Sequence, residues 1–235
     1  MLNMLMLRGR HKALAAQTAT LADEVERASS DIRLREQEAL ECLACAAEHR
    51  DPETHEHILR LSHYSALIAA ELGLPYSECE ILLQAARLHD VGKLAIPEKI
   101  LLKPGRLEPN EIETMRTHTT HGHRILADSA SAILRAGAEI ALCHHERFDG
   151  SGYPLGLAGD AIPLYARIVA VADVFDALTT RRPYKAAWDV ERACAAVRDA
   201  SRSDFDPACV DAFFRAWEHI LEVRARYPET STVAQ

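Results

Sequence analysis

The 235-residue sequence has no excess of basic side chains: 27 Lys and Arg stand against 35 Asp and Glu, a formal charge of −8 with a pI near 5.8. Duplex nucleic acid asks for a basic face, so that class of partner is excluded. An anionic ligand would have to be held locally, by bound cations or by a few placed Arg and Lys. A long apolar run is also missing. The opening MLNMLML meets Arg8, Arg10 and Lys12 after seven residues, too soon for a bilayer span or a signal core. Six cysteines, at 42, 45, 79, 143, 194 and 209, are scattered through a chain without a secretory signal. They make no disulfide framework, and a reducing cytoplasm suits them. Cys42 and Cys45 form a CxxC with no second pair to complete a zinc site, and read as buried small hydrophobes. Period-two alternation is nearly lacking, as are internal repeats and low-complexity tracts.

What is present is helical. At 48% hydrophobic, the chain can bury one main domain and carry an appendage. Residues 1–49 hold no Pro and no Gly except Gly9, and are rich in Ala, Leu, Glu and Arg, which predicts one long helix. Leu14, Leu21, Val25, Ala28 and Ile32 fall on a heptad-like seam interrupted by His11 and Thr18. That pattern fits a stalk that pairs with a second copy, and equally an amphipathic helix packed on its own domain. From Asp51 onward Pro and Gly punctuate apolar stretches of helical period. One ends at Gly73, the next opens at Pro75 and runs to LHD before Gly92. Further helices are expected near 109–127, 129–145, 163–179, 189–200 and 207–225. The expected fold is all-α, a bundle of about seven helices preceded by a long N-terminal helix. Its divisions are a stalk or linker over 1–49, the main domain over 50–228 and a disordered tail over 229–235.

Twelve histidines are many, and their placement says more than their number. Glu53 and His57 are four apart, on one face if helical. His89 and Asp90 are adjacent at a helix end, just before Gly92 and Lys93. His118 opens HTTHGHRIL, and His144 and His145 precede ERFDGSGYP. Asp173 lies inside the apolar helix ARIVAVADVFDAL, where a carboxylate is costly unless paired or metal-bound. A single helical His is ordinarily an exposed or hydrogen-bonded residue, and Asp173 alone could be a salt-bridge partner. Five His, two Asp and one Glu placed this way point together to a metal centre. Imidazole with carboxylate suits divalent transition metals, and the candidates outnumber the ligands of one tetrahedral zinc, so two or three ions are implied. A carboxylate such as Asp90 can bridge a metal pair, and a shared water of lowered pKa is then a nucleophile suited to phosphodiester hydrolysis.

HD followed by GK at 89–93 resembles the HD superfamily of metal phosphohydrolases. HHERFDGSGYP at 144–154 resembles the extended signature of its HD-GYP branch almost residue for residue. LHDVGKLAIPEKILLKPGRL at 88–107, IPLYARIVAVADVFDALTTRRPYK at 162–185 and FDPACVDAF at 205–213 are also similar to that family, and the likeness covers about 51–220. It implies metal ligands at His57, His89, Asp90, His118, His144, His145 and Asp173, and Glu53 as the extra carboxylate of members with three metals. Iron is the metal the resemblance favours, with manganese as the other. It assigns phosphate recognition to Lys93, Arg182 and Lys185. Arg182 can grip a phosphate bidentately, and Lys93 supplies a point charge near the metals. Asp90 and Lys93 are thus the candidate catalytic pair. Gly150, Gly152 and Pro154 read as a shaped loop, and Tyr153 as a hydroxyl or stacking face toward substrate.

The chain departs from the family pattern at His55, where a small residue is usual, and at SRSD before FDP. His55 points away from the Glu53/His57 face of a helix, which favours exposure. His121 and His123 are extra histidines without an assigned role.

By resemblance the expected activity is a phosphodiesterase opening cyclic di-GMP to linear pGpG, with GMP as a further product, by attack of a metal-bridging hydroxide. The alternatives are a silent module that binds cyclic di-GMP or a partner protein, and a hydrolase of another cyclic dinucleotide. The family also implies contact with a diguanylate cyclase domain through the GYP region. Its N-terminal helix resembles a connector to an upstream sensory or receiver domain, with room for a homodimer.

Overall fold

The computed structural model describes residues 2–48, 55–181 and 186–228. Its contacts divide the chain into two compact units, Met1–Cys42 and Leu43–Gln235. All regular elements among the described residues are helical, so the fold is all-α as the periodicity implies. Helix α1 spans Leu2–Glu48, about 70 Å at the α-helical rise. Leu14, Leu21, Val25 and Ile32 on its seam are exposed. Cys42 is exposed as well, which corrects its reading as a buried hydrophobe. It lies roughly opposite the buried Ala44 and Ala47 around the helix. The side chain of Cys45 is outside the described residues. No described helix is long and apolar enough to cross a membrane.

The second unit contains α2 (His55–Glu71), α3 (Tyr76–Ala85), the short α4 (Glu98–Leu101), α5 (Pro109–Arg116), α6 (His118–Leu126), α7 (Ala132–Cys143), α8 (Leu164–Thr179), α9 (Val190–Asp199), α10 (Pro207–Arg215) and α11 (Trp217–Arg226). Their starts are written in the sequence. Ser131 accepts from the Leu134 N–H, Asp189 from Arg192 N–H and Asp206 from Ala208 N–H, each satisfying a donor of the first turn. Pro109 and Pro207 occupy first-turn positions that need no N–H. Helix α8 runs through the centre, buried at Ile168, Val169, Val171, Ala172 and Phe175. Tyr64, Phe213 and Trp217 surround Phe175 at ring-centroid distances of 4.9–5.8 Å. Each of the fully buried rings of Tyr64, Phe175 and Phe213 contributes on the order of 2–3 kcal/mol of transfer free energy.

Three expected helices are interrupted, and two of the breaks build the site. The stretch after Pro75 does not stay α-helical to the HD pair. It tightens into 3₁₀ turns at Ala86–Leu88 and Val91–Ala95, with His89 and Asp90 between them. The stretch 109–127 divides at Thr117. There the Thr117 hydroxyl donates to Thr114 O (2.6 Å) and the His118 ring to Met115 O (2.8 Å), side chains competing for carbonyls. The stretch 207–225 divides at Ala216, where φ is −78° and ψ 3°.

Candidate metal centre

The tightened backbone at the HD pair brings α6 against it. A Cβ on Gly92 would stand 1.8 Å from His118 O and 2.4 Å from Gly122 N, so only glycine permits this approach. His118, at the first position of α6, is thereby carried to Asp90. His144 caps the C-terminus of α7 and His145 follows it. His57 and Asp173 face each other from α2 and α8, with His57 Nε2 3.8 Å from Asp173 Oδ1.

Seven predicted side chains meet in two groups. Asp90, His118, His144 and His145 form one, and His57, His89 and Asp173 the other. Within each group ligand-type atoms lie within 4.8 Å of one another. The groups are joined through the HD pair. His89 is 5.9 Å from His57 and 5.3 Å from His144, ring centre to ring centre. Asp90 turns its two oxygens to different neighbours. Oδ2 is 3.2 Å from His89 Nε2 and 2.8 Å from Lys93 Nζ, while Oδ1 is 3.2 Å from His118 Nε2 and 3.6 Å from His144 Nε2.

The tautomers follow from the other ring nitrogen. Nδ1 of His89 donates to Ala86 O (3.0 Å), that of His118 to Met115 O, and that of His144 to Ile140 O (3.0 Å) and Ala141 O (3.2 Å). His57 Nδ1 donates to the Asp176 carboxylate at 2.7 Å. These partners only accept, so Nδ1 carries the proton and Nε2 presents a lone pair. Nε2 of His118 and His144 and Oδ1 of Asp90 are buried without a hydrogen-bond partner among the described residues. Lone pairs aimed at a carboxylate oxygen across 3.2–3.6 Å repel unless a cation lies among them. The donor set, neutral imidazoles with carboxylates, fits divalent transition metals.

Electrostatics keep the groups in the state ligands need. Burial, partly offset by Asp90, lowers the His118 pKa to about 4, and burial together with His144 lowers that of His145. Burial opposes ionisation of Asp90, but Lys93, His89 and His144 outweigh it and hold the carboxyl well below its usual range.

The residues around HHE shape an open cleft of about 240 Å³ beside the first group, lined in part by His144, His145, Tyr153, Arg116 and Arg147. Gly152 packs where a Cβ would lie 2.3 Å from Arg147 N and 2.5 Å from Glu146 Cα, folding the loop onto HHE. Tyr153 then stacks on His145 at 4.8 Å, with the exposed Arg116 guanidinium 4.7 Å from its ring centre. Burial, with Asp90 close by, pushes the Tyr153 phenol up.

Three residues escaped the sequence reading. Buried Glu146 accepts the N–H groups of Leu155 (2.7 Å) and Leu157 (3.0 Å), tying down the loop that carries Tyr153. Asp176 and Arg60 are completely or almost completely buried, at 0% and 2% exposure, and ion-paired at 2.6 Å. The signal for both was the one used for Asp173, a charge in an apolar helix. Asp176 is the deeper of the two α8 carboxylates, since the Asp173 side chain retains 18% exposure. Glu53, Arg182 and Lys185 lie outside the described residues. His55 is exposed, and His121 and His123 belong to neither ligand group; His123 Nδ1 donates to Ala138 O at 3.2 Å.

A family model described as HD domain matches residues 33–209. The chain belongs to the HD domain family. Within that family, HHERFDGSGYP at 144–154 marks the HD-GYP branch. Its relatives include the cyclic di-GMP phosphodiesterase response regulator RpfG of Xanthomonas campestris, 44% identical over 229 residues, 97% of this chain and 61% of the relative. A cyclic di-GMP phosphodiesterase of Thermotoga maritima is 48% identical over 195 residues, 83% of this chain and 53% of the relative. The HD domain chain thus spans little more than half the length of these relatives. The same fold occurs in the crystal structure of a cyclic GMP-AMP specific phosphodiesterase of Vibrio cholerae, with a TM-score of 0.58 at 22% identity, covering 79% of this chain and 50% of that one.

Proposed function

We propose that this HD domain is a metal-dependent phosphodiesterase that opens cyclic di-GMP to linear pGpG, with GMP as the onward product. The observation that carries the reading is the junction at Asp90: two groups of neutral-imidazole and carboxylate donors, one on each side of a single carboxylate. The names of the relatives support the dinucleotide. In this reading His57, His89, Asp90, His118, His144, His145 and Asp173 hold two divalent ions, and Glu53 adds a third. Iron is the first candidate and manganese the second. Bound there, such ions would acidify water and screen the charge of a phosphodiester.

The chain's own part is positional. Asp90 spans both groups, so its carboxylate sets their separation. Lys93, held beside Asp90 at 2.8 Å, is placed to meet a non-bridging phosphate oxygen. The backbone carbonyls behind His89, His118 and His144 hold those three Nε2 atoms inward before substrate arrives, so the reaction needs little reorganisation there. Tyr153, with its phenol kept protonated, offers a stacking face to a purine. Arg182 and Lys185 complete the phosphate grip. Residues 1–49 serve as a stalk through which two copies pair, and the GYP loop is the docking face for a diguanylate cyclase domain. The free cysteines suit the reducing cytoplasm.

The test is to load the chain with iron or manganese, incubate it with a panel of cyclic dinucleotides and chromatograph the products. Linear pGpG from cyclic di-GMP, dependent on metal, is the expected result. Turnover by metal-stripped protein would overturn the mechanism, and preferential cleavage of another dinucleotide would reassign the substrate.

A further inference from the structure

Among the imidazoles whose Nδ1 bonds are described above, His57 alone leans on a charged side chain. Asp176 lies one helical turn beyond Asp173 on α8, and its carboxylate is saturated. Oδ1 accepts from Arg60 Nε at 2.6 Å. Oδ2 accepts from His57 Nδ1 and Arg60 Nη2, both at 2.7 Å, and from Thr180 Oγ1 at 3.2 Å. Arg60 is itself fixed, donating to Tyr227 O (3.0 Å) and Thr180 Oγ1 (2.8 Å). His57 and Arg60 are three apart on α2, so one face of that helix delivers both to the same carboxylate.

A clamp between α2 and α8 would need only the Arg60 fork. Hydrophobic residues of similar volume could often replace such a buried ion pair at no loss of stability. The added bond to His57 points to a second role. We infer that Asp176 is a positioning residue for the metal centre: it fixes the proton of His57 on Nδ1, aims Nε2 at the His89 and Asp173 group, and raises the donor strength of that ring. Arg60 keeps the carboxylate charged, so the proton stays on the imidazole. A carboxylate makes a buried imidazole a stronger ligand than a carbonyl does. The two groups are therefore unequal, and the His57 group owes its affinity to a residue that touches no metal.

This inference rests on the metal-site reading above, and two measurements separate their failures. The first is nitrogen-15 NMR of histidine-labelled, metal-free chain, with His57 assigned by His57→Gln. Protonation on Nδ1 is expected. Protonation on Nε2 would overturn the inference and leave the metal reading untouched. The second is Mn²⁺ titration of the metal-free wild type and Asp176→Asn, followed by the free-ion EPR signal. One equivalent should bind about 10- to 100-fold more weakly in the variant, while the other stays within about twofold of wild type. Equal affinities in the two proteins, or a parallel loss at every equivalent, would overturn it, since a merely structural role weakens all sites together. A wild type that binds no Mn²⁺ at all overturns both readings. Asp176→Glu keeps a carboxylate and is the second variant should Asp176→Asn not fold. It should lose less than tenfold at the same equivalent, and a loss that spreads to the others would overturn the proposal.

Discussion

The two ligand groups are built by different means. In the Asp90, His118, His144 and His145 group, the described Nδ1 bonds run to backbone carbonyls at the ends of helical turns. In the His57, His89 and Asp173 group, His57 hangs on a buried side chain, Asp176. A backbone anchor cannot be mutated away, so the first group is vulnerable only where backbones approach closely. A side-chain anchor can be removed singly, so the second is vulnerable at one carboxylate. The join between them is vulnerable from both sides.

The join should show the largest effect. Asp90→Ala removes the carboxylate that, among the described residues, faces both groups, and takes away the ion-pair partner 2.8 Å from Lys93. Turnover is expected to fall below detection, and bound metal, read by elemental analysis, to drop in both groups. His89→Ala should likewise abolish turnover while leaving metal in the first group. If Asp90→Ala kept a full complement of metal, Asp90 would not be the junction.

Gly92→Ala attacks the first group through its backbone. The new Cβ would meet His118 O at 1.8 Å, an atom that cannot swing aside. A destabilisation of about 3 kcal/mol or more is expected in urea unfolding, typical of forced overpacking. Metal loss should fall on the first group before the second. A loss shared equally would show that the groups are not mechanically separate.

How much of this was legible in the sequence depends on what kind of bond places each residue. His57, His89, Asp90, His118, His144, His145 and Asp173 stood out because polar side chains on apolar faces or at helix ends are costly without a partner, and the structure does bring them together. The helices were legible from period and from caps such as Asp189 and Pro207. The 3₁₀ turns around His89 and Asp90 were not, because they depend on α6 pressing against Gly92, a contact between segments about 26 residues apart in sequence. Asp176 was readable by the argument applied to Asp173, but its partner Arg60 is 116 residues away, and nothing local announces that pairing. Glu146 was hidden in plain view inside HHE. Its role is to cap N–H groups nine and eleven residues on, which only the folded loop reveals.

That loop gives a smaller test of the first group. Glu146→Gln keeps the shape but weakens two charge-assisted bonds, and should cost about 1–3 kcal/mol. Hydrogen exchange at the amides of Leu155 and Leu157 should accelerate while the metal content stays near wild type. Unchanged protection at both amides would mean that Gly152 packing alone sets the loop.

Tyr153 provides the smallest effect, and it decides what the loop contributes. The ring stacks on His145, the exposed Arg116 guanidinium lies 4.7 Å from its centre, and the phenol is held protonated by burial with Asp90 close by. A phenol in that state cannot act as a base near neutral pH, so the ring face is the useful part. Tyr153→Phe keeps the face and should leave kcat within about threefold of wild type, under about 0.7 kcal/mol in barrier. Tyr153→Ala removes the face and should raise KM by about tenfold, the stacking worth of one base. A kcat loss in Tyr153→Phe as large as that in Tyr153→Ala would instead put the hydroxyl at the reacting phosphate, and the cleft would then extend the first ligand group toward substrate with a third kind of anchor, neither backbone nor carboxylate.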